Sequence, residues 1–301
     1  MTAPVPATES RHPDSVDLDR MSTLGIVQLL NSEDRVAVDA ASAVLPRLAE
    51  LVDLAADRLA QGGHVHYFGA GTSGRLGVLD AAELVPTFGT DPALVQAHIA
   101  GGSDAIVHAV ENSEDSEEAG RRDVAAAVGP LDVAIGLTVS GTTPYVRGAL
   151  DAARATGAVT ALITSNPDAP LAELADYFLA ATTGPEILTG STRLKAGTAT
   201  KILLNGFSTA LMVRLGLTYS NLMVSVTATN QKLRERTLRI LGEVTGGDPE
   251  VGARILAAAD GDLKVAVVSA VSGVEIAASK RALDDARGSV PEAVRALADQ
   301  A

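Results

Sequence analysis

The sequence predicts an α/β fold: a parallel sheet flanked by helices on both faces, in the three-layer Rossmann-like or flavodoxin-like manner. Three observations carry this. Short apolar strands alternate with helix-length segments through most of the chain, the pattern of strand–helix–strand units. Two of those strands run into loops of Gly, Ser and Thr that open helices. Hydrophobic residues make up 47% of the chain but aromatic ones only 3%, so Ala, Val, Leu and Ile build a core suited to close helix–sheet packing. At 301 residues the chain is long enough for one large domain or a main domain with a smaller appendage.

In chain order, residues 1 to about 20 are polar and Pro-rich and read as extended. "STLGIVQLLNSEDRVAVDAASAVLPRLAELVDLAADRLAQGG" has the apolar spacing of two helices, the first capped by Ser22 and the second ended by Gly62 and Gly63. "HVHYFGAG" is a strand entering a Gly-rich loop, "SGRLGVLDAAEL" the helix after it, and "ALVQAHIAGG" the next strand. "SDAIVHAVENSEDSEEAGRRDVAAAV" reads as a helical stretch with an acidic centre. "DVAIGLTVSG" and "TTPYVRGALDAARATG" repeat the strand-to-helix step. There follow strand "AVTALITS", helix "PLAELA", strand "YFLAAT" and the long helix "TGSTRLKAGTATKILLNGFSTALMVRLG". Beyond about residue 240, three short helices broken by Gly suggest a small C-terminal helical domain. The expected organisation is an arm with helices over 1–55, a ligand-binding domain over 56–220 and a helical region over 221–301.

A formal net charge of -13 argues against nucleic acid and anionic membrane surfaces as partners. Any anionic ligand must then be held locally, by backbone N–H groups, hydroxyls and one or two cations. The chain has no Cys, which removes disulfides, thiolate nucleophiles and Cys-ligated metals. Its first residues lack the basic and apolar regions of a secretory signal. No uncharged apolar run approaches the ~18 residues of a membrane span, so a cytoplasmic setting is expected.

Gly69, Gly71 and Gly74 spell G-x-G-x-x-G, but a dinucleotide site would also want a carboxylate ~20 residues on, at the end of the next strand. That strand ends in "HIAGG". There is no G-K-[ST] ending for a nucleotide P-loop either. A second loop of similar kind, "LTVSGTTPY", places Ser140, Thr142 and Thr143 between strand and helix, as Thr72 and Ser73 stand in the first. Each loop offers hydroxyls with the positive end of a helix. Ser and Thr also cap helices as a matter of routine; two such corners in one sheet favour a ligand.

Glu83 lies near the end of the first loop's helix, and Glu111 and Glu114 stand three apart in "ENSED". Spacing does not choose among these carboxylates. Lys195, Lys201 and Arg193 are candidate cations, or ordinary salt-bridge formers. His64 and His66 share a strand face without a third ligand of metal-site spacing, and His98 and His108 read as solitary. No metal is assigned.

Taken together these segments resemble the N-acetylmuramic acid 6-phosphate etherases, built on the sugar isomerase (SIS) fold, over nearly the whole chain. "TESRHPDSVDLDRMST" is similar to the family's N-terminal signature, with His12 where Asn is common. "GAGTSGRLGVLDAAELVPTFG" resembles its most specific block, with Ala82, Glu83, Leu84 and Val85 replacing the usual Ser-Glu-Cys-Pro. "AVENSEDS" is similar to the acidic block, with Asn112 and Ser113 for Gly-Ala. "SGTTPYVRGAL", "GPEILTGSTRLKAGTATK" and "NLMVSVTATNQKLRER" complete the series.

The resemblance implies a cofactor-free and metal-free lyase that cleaves a lactyl ether from a phosphosugar, acting as a homodimer with residues of both subunits near each site. It implies Glu83 as the acid that protonates lactate and Glu114 as the base. It also implies Gly71, Thr72, Ser73, Ser140, Gly141, Thr142, Ser191 and Lys195 as substrate-binding residues, with Glu111 a weaker sugar contact. An SIS phosphosugar isomerase and a non-catalytic phosphosugar-binding regulator are the rival readings. A dinucleotide-dependent oxidoreductase is disfavoured by the missing ribose carboxylate.

Overall fold

The computed structural model describes residues 7–225, 231–246 and 248–299. Among them, five strands form a parallel sheet: β1 Val65–Gly69, β2 Val95–Ile99, β3 Val133–Leu137, β4 Val159–Thr164 and β5 Tyr177–Ala180. Their order is β2-β1-β3-β4-β5, so the chain reverses its direction of travel across the sheet between β1 and β3. In open α/β sheets a ligand crevice opens at such a point, beyond the carboxyl ends of the strands.

Alternation along the strands sorts the two faces. Phe68 and Ala134 pack with Tyr145, Val146 and Leu150 of helix α6 (Pro144–Thr156), and Gly136 lets α6 approach, since a Cβ there would lie 2.7 Å from Val146. On the other face, Tyr67 sits against Gly77 of helix α3 (Gly71–Phe88) and Phe207 of helix α7 (Lys195–Arg214). The Tyr67 hydroxyl donates to Asp80 at 3.0 Å, and so does Ser208. Burial raises the Asp80 pKa, against the lowering effect of those two hydrogen bonds.

The G-x-G-x-x-G pattern is a packing device here. A Cβ on Gly74 would lie 2.7 Å from the Gly69 carbonyl oxygen, and one on Gly69 would lie 2.8 Å from the Gly74 nitrogen. Gly71 between them turns the chain at φ +51, a region glycine enters without steric cost. Strand β1 and helix α3 therefore meet at backbone distance.

Two compact units divide the chain: residues 1–81 with 92–208, and residues 82–91 with 209–301. The first holds the sheet together with helices α1 (Thr23–Ser42) and α2 (Leu45–Ala60). Ser22 caps α1 by accepting from the Gly25 N–H at 3.1 Å. The second contains the short hairpin Thr218–Tyr219 with Leu222–Met223 and the helices Gln231–Val244, Pro249–Ala258, Leu263–Ser272, Ile276–Asp285 and Val290–Ala298. These gather around Leu241, Val265, Val267, Leu283 and Val290. Of the block "NLMVSVTATNQKLRER", residues 226–230 lie outside the described residues, as do residues 1–6 of the arm. No helix among the described residues is long and apolar enough to cross a membrane.

Four elements expected from the sequence need correction. The arm is not extended from residue 7 to residue 20 but winds through short 3-10 turns, one with Pro13 at its start and the His12 ring accepting from the Asp14 N–H. The acidic stretch is broken into a short helix α4 (Asp104–Val107), a 3-10 turn Ser113–Asp115 and helix α5 (Glu117–Ala127). Asn112 at φ 60 interrupts it, and Ser116 caps the restart. "PLAELA" is a 3-10 turn over Pro170–Leu174. The long helix begins at Lys195, leaving "TGSTRL" as a loop with Gly190 at φ +76.

His98 is not solitary. Its ring stacks on Phe68 with centroids 4.6 Å apart and on His66 at 5.3 Å. His66 is wholly buried, and burial, followed by the neighbouring His98, pushes its pKa down to about 4. It is thus neutral in the fold, whereas the unfolded chain's His titrates near ~6.5. Stability is unaffected by this group above pH ~6.5, falls as the pH drops towards about 4, and levels off below. For His66 the loss should approach about 3 kcal/mol, with His98, also lowered by burial, adding to it. Urea unfolding between pH 7 and pH 4 should show this slope, and His66→Leu should flatten it. Gly74→Ala should lower the urea midpoint by overpacking, at a cost of ~1–3 kcal/mol; an unchanged midpoint would contradict the close β1–α3 contact.

Candidate functional site

The loops after β1 and β3 enclose a cleft of about 260 Å³. Small-ligand pockets commonly run ~300–1,000 Å³, so this space suits a monosaccharide phosphate better than a dinucleotide. From the first corner, Gly71, Thr72 and Ser73 line it; from the second, Thr138, Ser140 and Thr143. Glu114, Thr192 and Glu9 complete its polar wall.

At the first corner the cleft meets the opening turn of an 18-residue helix, α3. N–H groups of that turn lack intrahelical acceptors and carry the positive end of the helix dipole. The second corner is held by its own hydroxyls. Thr138 Oγ1 lies 2.7 Å from Thr143 Oγ1, and Ser140 Oγ lies 2.9 Å from Thr142 Oγ1. Gly141 N–H donates to Thr138 Oγ1 and Thr142 N–H to Ser140 Oγ, both at 3.3 Å. From below, Asn166 Nδ2 donates to the Ser140 carbonyl at 2.8 Å. Gly141 stands at φ +71, and a Cβ there would lie 2.2 Å from that of Ala169, so only glycine fits.

Helix capping does not account for these hydroxyls. Thr143 is the N-cap of α6 yet makes no side-chain cap bond, unlike Ser22 and Ser116. Among the described lining residues there is no Lys or Arg. An anion here would be met by N–H groups, hydroxyls and a helix end, in the manner of other helix-terminus anion sites.

Glu114 reaches the cleft on the 3-10 turn that follows Asn112. That segment is tied to α3 by Arg75, whose Nε donates to the Ile106 carbonyl at 3.1 Å and whose Nη2 donates to that of His108 at 3.0 Å. Glu111 is exposed and does not line the cleft. Glu83 is exposed on α3, among the residues of the second compact unit, and is not part of the lining. Gly141 and Thr142 shape the second corner without lining the cleft, and Ser191 stands beside the lining residue Thr192.

Lys195 is only 3% exposed, and its ammonium pairs with Glu33. Burial alone would raise the Glu33 pKa, but the hydrogen bond and charge of Lys195, joined by His12, lower it. His12 Nε2 lies 3.1 Å from the same Glu33 oxygen. Glu186, 1% exposed, accepts from the backbone N–H groups of Lys195 and Ala196 at the start of α7. This cation is committed to holding helices and arm together. Lys201 turns to Asn205.

Sequence reasoning missed Glu9, Thr138, Thr192 and the tie made by Arg75. Thr138 was hidden inside a strand and Thr192 inside a segment with helical spacing. Glu9 carried no signal beyond being polar.

Comparison with known proteins identifies the chain's relatives. The family described as "Glucokinase regulatory protein N-terminal SIS domain" matches residues 47–154, and the SIS domain family matches residues 106–209. The chain is similar to the N-acetylmuramic acid 6-phosphate etherase of Thermobifida fusca, 54% identical over 89% of either chain. It is 49% identical to the etherase of Symbiobacterium thermophilum, again over 89% of each. With that of Photorhabdus laumondii it shares 45% identity over 96% of this chain and 97% of the relative.

Thr138→Val removes the acceptor for the Gly141 N–H and the partner of Thr143 while keeping the side-chain shape. It should weaken binding of inorganic phosphate about tenfold, the scale of one to two lost hydrogen bonds, as read by calorimetry. Unaltered phosphate affinity would remove this corner from the anion site.

Proposed function

This chain belongs to the N-acetylmuramic acid 6-phosphate etherase family, and from that premise we propose how its cleft performs the family's reaction. The protein is a carbon–oxygen lyase that cleaves the D-lactyl ether of N-acetylmuramic acid 6-phosphate to N-acetylglucosamine 6-phosphate and D-lactate. The observation that carries the assignment of the site is the cleft at the β1/β3 reversal, lined by hydroxyls, an α-helix start and Glu114.

In this reading Thr72, Ser73, Ser140 and Thr142 hold the phosphate and sugar hydroxyls, supported by Gly71, Gly141 and Ser191. Glu111 is a weaker contact, and Lys195 contributes by anchoring α7. An ether is a poor target for direct hydrolysis. In the ring-opened sugar, the aldehyde at carbon 1 acidifies the proton on carbon 2. Glu114 takes that proton; the electron pair forms the carbon 2–carbon 3 double bond and expels the lactyl oxygen, which Glu83 protonates. Water, activated by Glu83, then adds to carbon 3, and a proton returns to carbon 2. The sum is one water consumed and one lactate released, with no redox change. General acid and base groups are each worth ~10²–10⁴-fold in rate.

Glu83 stands exposed and outside the cleft's lining, and its role enters through the family's motif together with the homodimer, in which residues of both subunits approach each site. A cytoplasmic place in cell-wall sugar recycling or catabolism belongs to the same proposal.

Incubation of the protein with N-acetylmuramic acid 6-phosphate should release D-lactate, and in heavy water the sugar product should carry deuterium at carbon 2. Lactate release with protium alone at carbon 2 would overturn the elimination route. Glu114→Gln should lower kcat by ~10²-fold or more while phosphosugar binding persists; turnover at the wild-type rate would remove Glu114 from the chemistry.

A further inference from the structure

The N-terminal arm brings a second carboxylate into the cleft. Glu9 lines the same space as Ser73, Ser140 and Glu114. Its Oε2 lies 3.3 Å from where a Cβ on Gly190 would stand. Gly190, at φ +76, therefore leaves the room the carboxylate occupies. Among the described ion pairs none includes Glu9, and the residue is exposed.

The arm that carries it is firmly seated. Thr8, His12 and Ser15 are buried, at 2%, 6% and 8% exposure. His12 Nδ1 accepts from the Asp14 N–H at 3.2 Å, which leaves Nε2 to donate to Glu33 at 3.1 Å. Glu33 in turn pairs with the buried Lys195. This chain of contacts fixes the arm to α1 and to the start of α7, three residues upstream of which Thr192 enters the cleft wall. An exposed carboxylate on a loose arm would have no defined position; this one is held from both sides.

We propose that Glu9 is a sugar-binding residue: its carboxylate accepts a hydrogen bond from a donor on the neutral part of the sugar, a hydroxyl or the acetamido N–H. The inference rests on the phosphosugar reading given above. Charge decides which part of the ligand Glu9 faces. A carboxylate repels a phosphate at short range, so the phosphate belongs to the hydroxyl and helix-end corners and the carboxylates to the donor-bearing carbons. A sugar offers many O–H and N–H donors, and a charged acceptor makes the stronger kind of hydrogen bond with them.

The test uses the full chain and its Glu9→Ala and Glu9→Gln variants. Calorimetry measures binding of N-acetylglucosamine 6-phosphate, glucose 6-phosphate and inorganic phosphate. Glu9→Ala should weaken N-acetylglucosamine 6-phosphate about tenfold or more, the scale of a hydrogen bond to a charged group. Glu9→Gln should recover part of that loss through its amide oxygen. Inorganic phosphate affinity and the thermal midpoint should stay at the wild-type values. Equal losses for both sugars assign the bond to a hydroxyl, and a loss confined to the acetamido sugar assigns it to the amide N–H. In turnover, KM should rise with kcat unchanged. Unchanged sugar affinity in Glu9→Ala, or a parallel loss of phosphate affinity, would overturn the proposal. Wild-type protein that binds the amino sugar phosphate but releases no lactate would instead count against the etherase reading, leaving the role of Glu9 to be decided by the binding measurements.

Discussion

A chain carrying a net charge of -13 that binds a phosphate monoester must do so against its own field, and this constraint organises the site. Long-range attraction is not on offer, so the anion has to be stabilised by groups within hydrogen-bond reach. The protein uses the reversal in its strand order to bring two strand-to-helix corners together. One presents the opening turn of α3, made accessible by Gly71, and the other a cross-linked set of hydroxyls from Thr138 to Thr143. In the proposed site neutral donors and a helix dipole take the place of cations, and they act only at close range.

The same constraint bears on Lys195, the one lysine buried among the described residues. Lys195 serves structure: with Glu33 and His12 it ties arm, first helix and α7 into one assembly. Glu186 anchors the first N–H groups of α7 beside it. Breaking a buried pair by removing one partner leaves an uncompensated charge, so this arrangement is rigid in consequence as well as in geometry. Thr192 and Glu9, which meet the ligand space, are both carried by segments that this network holds. In the proposed binding mode the carboxylates face the part of the ligand that offers donors, and the phosphate is assigned to the corners.

Much of this was legible in the residues. The β1–α3 and β3–α6 corners were readable because strand periodicity, glycine and hydroxyl residues coincide there, and local chemistry decides a corner. The pairing of two such corners favoured a ligand over capping, but the geometry was not readable, since it depends on where Thr143 turns its hydroxyl, and the fold turns it to Thr138. By spacing alone Glu114 was one of several acids in a charge run, and only the family resemblance singled it out; its place in the cleft wall goes with Asn112 breaking the helix and Arg75 tying the preceding chain to α3. Glu9 was invisible for a simpler reason. A single carboxylate in a polar arm has no period, and its position is set by His12, Glu33 and Lys195, which are far apart in sequence.

The crystal structure of the protein with N-acetylglucosamine 6-phosphate tests the central claim most directly. The account predicts phosphate oxygens within ~3 Å of N–H or hydroxyl groups of the Gly71–Ser73 and Ser140–Thr143 corners, with Glu9 and Glu114 turned to the sugar. A phosphate held instead by Lys or Arg side chains, or seated away from these two corners, would contradict it.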